Sequence, residues 1–209
     1  LKPRIKICQI HDTVEAWMAI ARGASLIGLV ADIPGEALPP EDIADIAASC
    51  PPGVMPVLVT VSRAAAPVIA LARETGVGAV QLLEPLETGH AGELREALPG
   101  IKIIQAVRLA GPDSFGAALN LSSLADALLI SGAHHELDRQ VIALPDLALA
   151  RRVVEEAHCP VFLSGGLTPE NVAHALAVVR PFGLDVAAGI ATSGGLDEGK
   201  LRGFMEEAG

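Results

Sequence analysis

A chain of 209 residues can build one large core or two small ones, and its 51% apolar and 19% charged composition excludes a disordered segment. Fifteen basic residues against 25 acidic ones give a net charge of −10, which argues against nucleic acid or an acidic membrane surface as partner, and 2% aromatics leave little material for base stacking. Three widely spaced cysteines, Cys8, Cys50 and Cys159, form no CxxC pair and no disulfide framework, which together with the absence of a secretory leader pattern points to the cytoplasm.

The elements alternate from the first residues onward. Residues 4–10 (RIKICQI) read as a strand, followed by a helix over 13–22 capped by Asp12 or Thr13. A strand over 26–32 precedes a helix over 40–49 that begins at Pro40, and a strand over 54–60 precedes a helix over 64–75 that stops at Gly76. Strands over 79–84, 102–109 and 125–131 follow, with helices over 89–98, 113–123 and 145–157 after them. Strands over 160–165 and 184–189 lead into helices over 169–180 and 197–207. No apolar run approaches the roughly 20 residues of a membrane helix. Eight strand–helix units with no linker between halves predict a single-domain (β/α)8 TIM barrel over 1–209. A doubly wound open sheet uses the same local pattern and is the alternative.

In such a barrel the active site lies at the carboxyl ends of the strands. At the seventh strand Gly165 and Gly166 are followed by Thr168 as an N-cap and Pro169 as first helical residue, a strand–turn–helix connection whose free N–H groups suit an anion. The eighth strand ends in Ala188, Gly189 and Ile190, and small residues at both strand ends make a phosphate site the favoured reading. Alternation puts Lys6, Cys8 and Ile10 on one face of the first strand and Ile5, Ile7 and Gln9 on the other. Cys8 then points into the barrel near its upper end, either as a thiolate base or as small-residue packing. Asp126 opens the sixth strand and so belongs to the stability end of a barrel.

Several stretches resemble the phosphoribosylanthranilate isomerase family: "KIC" in the first strand, "LSGGLTPENV", "VRPFGLDVAAGI" and "LDEGKLRGFMEEA", with looser matches at "ADALLIS" and "GAVQLLE". The resemblance implies a (β/α)8 barrel and an Amadori rearrangement of a phosphoribosyl-amine in tryptophan biosynthesis. It implies Cys8 as general base at C2′ of the ribose. It also implies a phosphate cradle at Gly165, Gly166, Ala188, Gly189 and Ile190, and a strand-eight aspartate at Asp185. The substrate is a small phosphorylated molecule, with no cofactor or metal, and the protein a monomer or homodimer. The chain departs from the pattern at five places. Ser131 stands at the strand-six aspartate that protonates the furanose ring oxygen, and "GAHHELDRQV" replaces a glycine-rich loop. Gln9 follows the cysteine where the family has glycine, Glu36 takes the place of an arginine, and Leu83 that of a histidine.

A serine hydroxyl holds its proton too tightly to act as general acid. Asp138, His134 or His135 supply one if their loop folds inward, and are otherwise an exposed polar loop. The same two histidines with Glu136 make only a weak metal pattern. Two further readings stand beside the isomerase: a barrel enzyme acting on another phosphorylated sugar or heterocycle, and a phosphate-ligand binder without catalysis.

Overall fold

A computed structural model describes residues 2–87, 90–132, 144–193 and 195–209. Eight parallel strands close on themselves in chain order, and β1 (Arg4–Ile7) pairs with both β2 (Leu26–Val30) and β8 (Gly183–Val186). Between these lie β3 (Met55–Thr60), β4 (Ala79–Leu82), β5 (Lys102–Arg108), β6 (Ala127–Ser131) and β7 (Val161–Leu163). The helices, in chain order, are α1 (Thr13–Ala21), α2 (Pro40–Ser49), α3 (Ala65–Thr75), α4 (His90–Ala97), α5 (Ser114–Ser122), α6 (Leu147–Glu156), α7 (Val172–Val179) and α8 (Glu198–Glu207). The closed order selects the barrel over the open sheet. Among the described residues no helix is long and apolar enough to cross a membrane.

The layers follow from the period-two alternation of the strands. Ile5, Ile7, Leu58, Val80, Leu128 and Ile130 pack outward against the helices in the main core. Leu26, Val57, Ala79, Ile104, Ala127, Leu129 and Phe162 fill the barrel interior. Above them Val30, Ile33 and Val59 form a smaller cluster against which Cys8 and Leu83 pack. With so few aromatics, branched aliphatic side chains carry nearly all of this filling.

Local signals set most helix ends. Asp12 caps α1 by accepting the Glu15 N–H at 2.8 Å, Asp146 caps α6, and Asp197 caps α8. Gly76 ends α3 in the left-handed conformation at φ 67°. Asp126 pairs with Arg95 and Lys102 and accepts the Ile103 N–H at the amino-terminal end of the barrel, the stabilising role expected of it. Although partial burial opposes its charge, those partners hold its carboxyl below the ordinary value.

The seventh unit departs from expectation. The helix over 169–180 begins instead at Val172, and Thr168 does not cap it. The Asn171 side chain folds back, accepting the Thr168 N–H at 2.8 Å and donating to the Gly166 carbonyl at 2.7 Å. The segment after the two glycines is therefore a side-chain-clipped turn. Satisfying its backbone locally outcompetes the extra helical turn that Pro169 would have opened.

Candidate active site

The site is built upward from β1. Ile5 and Ile7 face the helices, so Lys6 must face the barrel axis, where it is fully buried. An ammonium there needs a counter-charge. Lys6 and Asp185 are register partners across the β1–β8 seam, and Nζ lies 2.7 Å from Oδ1. The second Asp185 oxygen accepts the Ser164 hydroxyl at 2.9 Å, tying the ends of β7, β8 and β1 together. One pleat above Lys6 sits Cys8, whose sulfur lies close enough to the ammonium for the two to interact electrostatically. Gly28 of β2 leaves the room for both. A Cβ there would lie 2.6 Å from the Cys8 Sγ and 2.8 Å from the Lys6 Nζ.

The charges are tightly coupled. Burial works against the Lys6 ammonium, but the Asp185 carboxylate and then Cys8 outweigh it and hold Lys6 above its ordinary value. Burial pushes the Cys8 thiol up, Lys6 pulls it partly back, and Asp185 adds to the rise. Cys8 therefore rests as a thiol, with an ammonium positioned to receive its negative charge once the proton leaves.

Strand alternation fails one residue above Cys8. β1 ends at Ile7, Gln9 adopts a left-handed φ of 59°, and Ile10 lies in the outer core instead of sharing the Cys8 face. The chain needs a turn here that glycine makes without strain, and Gln9 makes it while its amide donates to Glu36 at 2.6 Å. That bond joins the β1–α1 loop to the β2–α2 loop across the mouth.

On the opposite side, Gly165 and Gly166 take φ values of 86° and 57° in the loop after β7. The chain after β8 forms a 3-10 turn over Ala188–Ile190 and a small antiparallel pair, β9 (Ala191–Thr192) and β10 (Gly195–Leu196). The two loops touch backbone to backbone. A Cβ on Gly189 would overlap the Leu167 carbonyl oxygen.

Cys8, Gly165, Gly166, Asp185, Ala188 and Gly189 thus line one cavity of about 690 Å³ at the carboxyl ends of the strands. Ile190 does not line it. Its side chain is fully buried in the outer core and its N–H bonds the Ala187 carbonyl, so the expectation that it contacts a ligand directly is corrected. Asp185 reaches the cavity with its carboxylate committed to Lys6 and Ser164. Ser131 closes β6 on the inward-facing parity, 2% exposed, and is absent from the lining. Asp138, His134, His135 and Glu136 lie outside the described residues. Among the described residues no group of three His, Cys, Asp or Glu side chains is placed to hold a metal.

Four residues of this neighbourhood escape a reading of the sequence alone: Lys6, His11, Glu15 and Gln81. Lys6 carried a signal, being a charge on the Cys8 face of an apolar strand. Gln81 lines the cavity from β4, 3% exposed, and its Oε1 has no hydrogen-bond partner. Such an acceptor costs about 1–3 kcal/mol until a donor reaches it, and a hydroxyl or N–H of a bound ligand would serve.

The model of the N-(5'phosphoribosyl)anthranilate (PRA) isomerase family matches residues 5–207. The chain is 36% identical to N-(5'-phosphoribosyl)anthranilate isomerase 2 of Methanosarcina mazei, over 98% of this chain and 93% of the relative. It is 33% identical to the N-(5'-phosphoribosyl)anthranilate isomerase of Halobacterium salinarum, over 98% and 95%. The crystal structure of phosphoribosyl anthranilate isomerase from Thermotoga maritima superposes with a TM-score of 0.85 at 29% identity, covering 99% of this chain and 98% of that one. A phosphoribosyl anthranilate isomerase in complex with reduced 1-(o-carboxyphenylamino)-1-deoxyribulose 5-phosphate matches with a TM-score of 0.84, also at 29% identity and with the same coverage.

Proposed function

Because the chain belongs to the N-(5'-phosphoribosyl)anthranilate isomerase family, we propose that it catalyses the Amadori rearrangement of N-(5′-phosphoribosyl)anthranilate in tryptophan biosynthesis, in the cytoplasm. The observation that carries the residue assignment is the shared cavity: Cys8 at its floor and two glycine-bearing loops, backbone to backbone, at its rim. No lysine or arginine is among the described residues lining that cavity. In this reading backbone N–H groups of the loops after β7 and β8, where Gly165 and Gly166 take left-handed φ and Gly189 lets the two loops touch, hold the substrate phosphate. Cys8 then faces the sugar carbon. Its thiol first loses its proton to solvent; the thiolate takes the C2′ proton from the ring-opened iminium and becomes a thiol again, the electron pair forms the C1′–C2′ double bond, and the enolamine tautomerises to the ketone. Lys6 stabilises the thiolate, and Asp185 keeps Lys6 in place.

Purified protein should convert phosphoribosylanthranilate to its ketose product, read by the change in absorbance and fluorescence. No turnover under saturating substrate would end this reading. One observation favours a second substrate class at the same centre. Glu36 lines the cavity where a cation would be needed to attract the anthranilate carboxylate, and like charges repel there. Faster turnover of the adduct of ribose 5-phosphate with 2-aminobenzamide than of the anthranilate adduct would establish that second reading.

Gly189→Ala tests the cradle. The new methyl meets the Leu167 carbonyl, which belongs to backbone and cannot swing away. The loops must separate, and affinity for inorganic phosphate is expected to fall at least about tenfold, equivalent to ~1.4 kcal/mol. Phosphate-dependent thermal stabilisation measures this, and an unchanged affinity would place the anion elsewhere.

A further inference from the structure

The isomerase reading, on which this inference rests, requires a proton at the furanose ring oxygen as the C1′–O4′ bond opens, and Ser131 cannot give one. We propose that His11 is the general acid that delivers this proton, with Glu15 as the residue that positions its imidazole. His11 follows the left-handed turn at Gln9 and lines the same cavity as Cys8 and the phosphate cradle. Its side chain is 47% exposed, open enough to meet a ligand.

Glu15, by contrast, is 14% exposed and makes three bonds. Its Oε2 accepts the His11 backbone N–H at 2.8 Å and lies 3.2 Å from the His11 Nδ1. Its Oε1 accepts the Leu196 N–H at 2.9 Å, binding the first turn of α1 to the segment that follows β8. With Nδ1–H directed at a carboxylate, Nε2 is the nitrogen left to carry a proton to a ligand.

Among the described residues, the other acidic side chains on the lining are committed as acceptors or ion partners. Asp12 caps α1, Asp185 holds Lys6 and Ser164, and Glu36 accepts from Gln9. The substrate's own geometry matches this placement. O4′ is bonded to C4′, which carries the phosphate-bearing C5′, so with the phosphate on the cradle and C2′ at Cys8 the ring oxygen lies between them. His11 stands on the loop that leaves Cys8, at the start of the helix whose Glu15 bonds Leu196 beyond β8.

The step balances. The C1′–O4′ bond breaks with its electron pair on O4′, the Nε2 proton of the imidazolium moves to O4′, and the anthranilate nitrogen lone pair forms the C1′=N iminium. Cys8, its thiol proton lost to solvent, then removes the C2′ proton as the thiolate and becomes a thiol again, and solvent returns a proton to His11.

His11→Gln and His11→Ala in the whole protein test the assignment with N-(5′-phosphoribosyl)anthranilate as substrate. The expected result is a loss in kcat of about 10²–10⁴-fold, with KM, melting temperature and inorganic-phosphate affinity close to wild type. Free imidazole should restore part of the rate in His11→Ala and none in Cys8→Ala. Wild-type kcat in both His11 variants would overturn the proposal. So would weaker phosphate affinity with kcat intact, which makes His11 a phosphate ligand. Loss of kcat on Asp138→Asn or His134→Gln but not at His11 would move the acid to the 133–143 segment. A wild-type protein with no turnover fails the isomerase reading itself and this assignment with it.

Discussion

Cys8→Ala is expected to lower kcat by about 10²–10⁴-fold and to leave the melting temperature nearly unchanged. Cys8 borders the cavity on one side, so its loss opens no sealed void. Cys8→Ser sharpens the test because it keeps size and hydrogen bonding. An alcohol surrenders its proton far less readily than a thiol, so the serine variant should be as inactive as the alanine variant while still binding substrate. Steady-state kinetics with a parallel phosphate-affinity measurement distinguish this from a binding defect. A serine variant with wild-type kcat would remove the sulfur from the reaction.

The second large effect concerns the charge beneath that sulfur. Lys6→Met should destabilise the fold by about 3–5 kcal/mol, because Asp185 is left buried without its counter-charge. Among the described residues Ser164 alone remains to bond it. Replacing both partners, Lys6→Met with Asp185→Leu, should recover most of the loss, since no ionised group is then stranded. Urea unfolding of the single and double variants reads this directly, and an equally unstable pair would show that the ion pair is not the cause. The sign with pH follows from the direction of the Lys6 shift. Its ammonium is held above the unfolded value, so its contribution is complete through neutral pH and is lost only as pH rises into strong alkali.

The same double variant reports on Cys8. In the wild type, alkylation of Cys8 by iodoacetamide should climb with pH beyond the ordinary thiol range, because burial raises the thiol. Without Lys6 the climb should move to still higher pH, since the pull of Lys6 on the sulfur exceeds the push of Asp185. A profile identical to wild type would mean that the Lys6–Asp185 pair has no net effect on Cys8.

Much of the fold was legible because its signals are local. Period-two apolar runs separated by amphipathic segments give the barrel, and Asp12 and Gly76 act where their residue types predict. The glycines at 165, 166 and 189 and the small residue at Cys8 were legible for the same reason, lying at strand ends where only a few backbone shapes are available. The start of α7 was misread because two competing local solutions existed, and the Asn171 clip prevailed over a helical turn at Pro169.

By itself the amino-acid sequence determined the eight units, the inward face of β1 and the two glycine loops, and its resemblance named the family. Only the tertiary structure decided what those faces meet. Lys6 and Asp185 stand 179 positions apart and become neighbours because the last strand closes on the first. Gly28 is a space for a sulfur and an ammonium only once β2 lies beside β1, and His11 reaches the mouth because Gln9 turns left-handed and Glu15 bonds Leu196 from a distant loop. Backbone propensity and alternation act over a few residues, whereas the electrostatics of a barrel mouth depend on which strand ends closure brings within hydrogen-bond range.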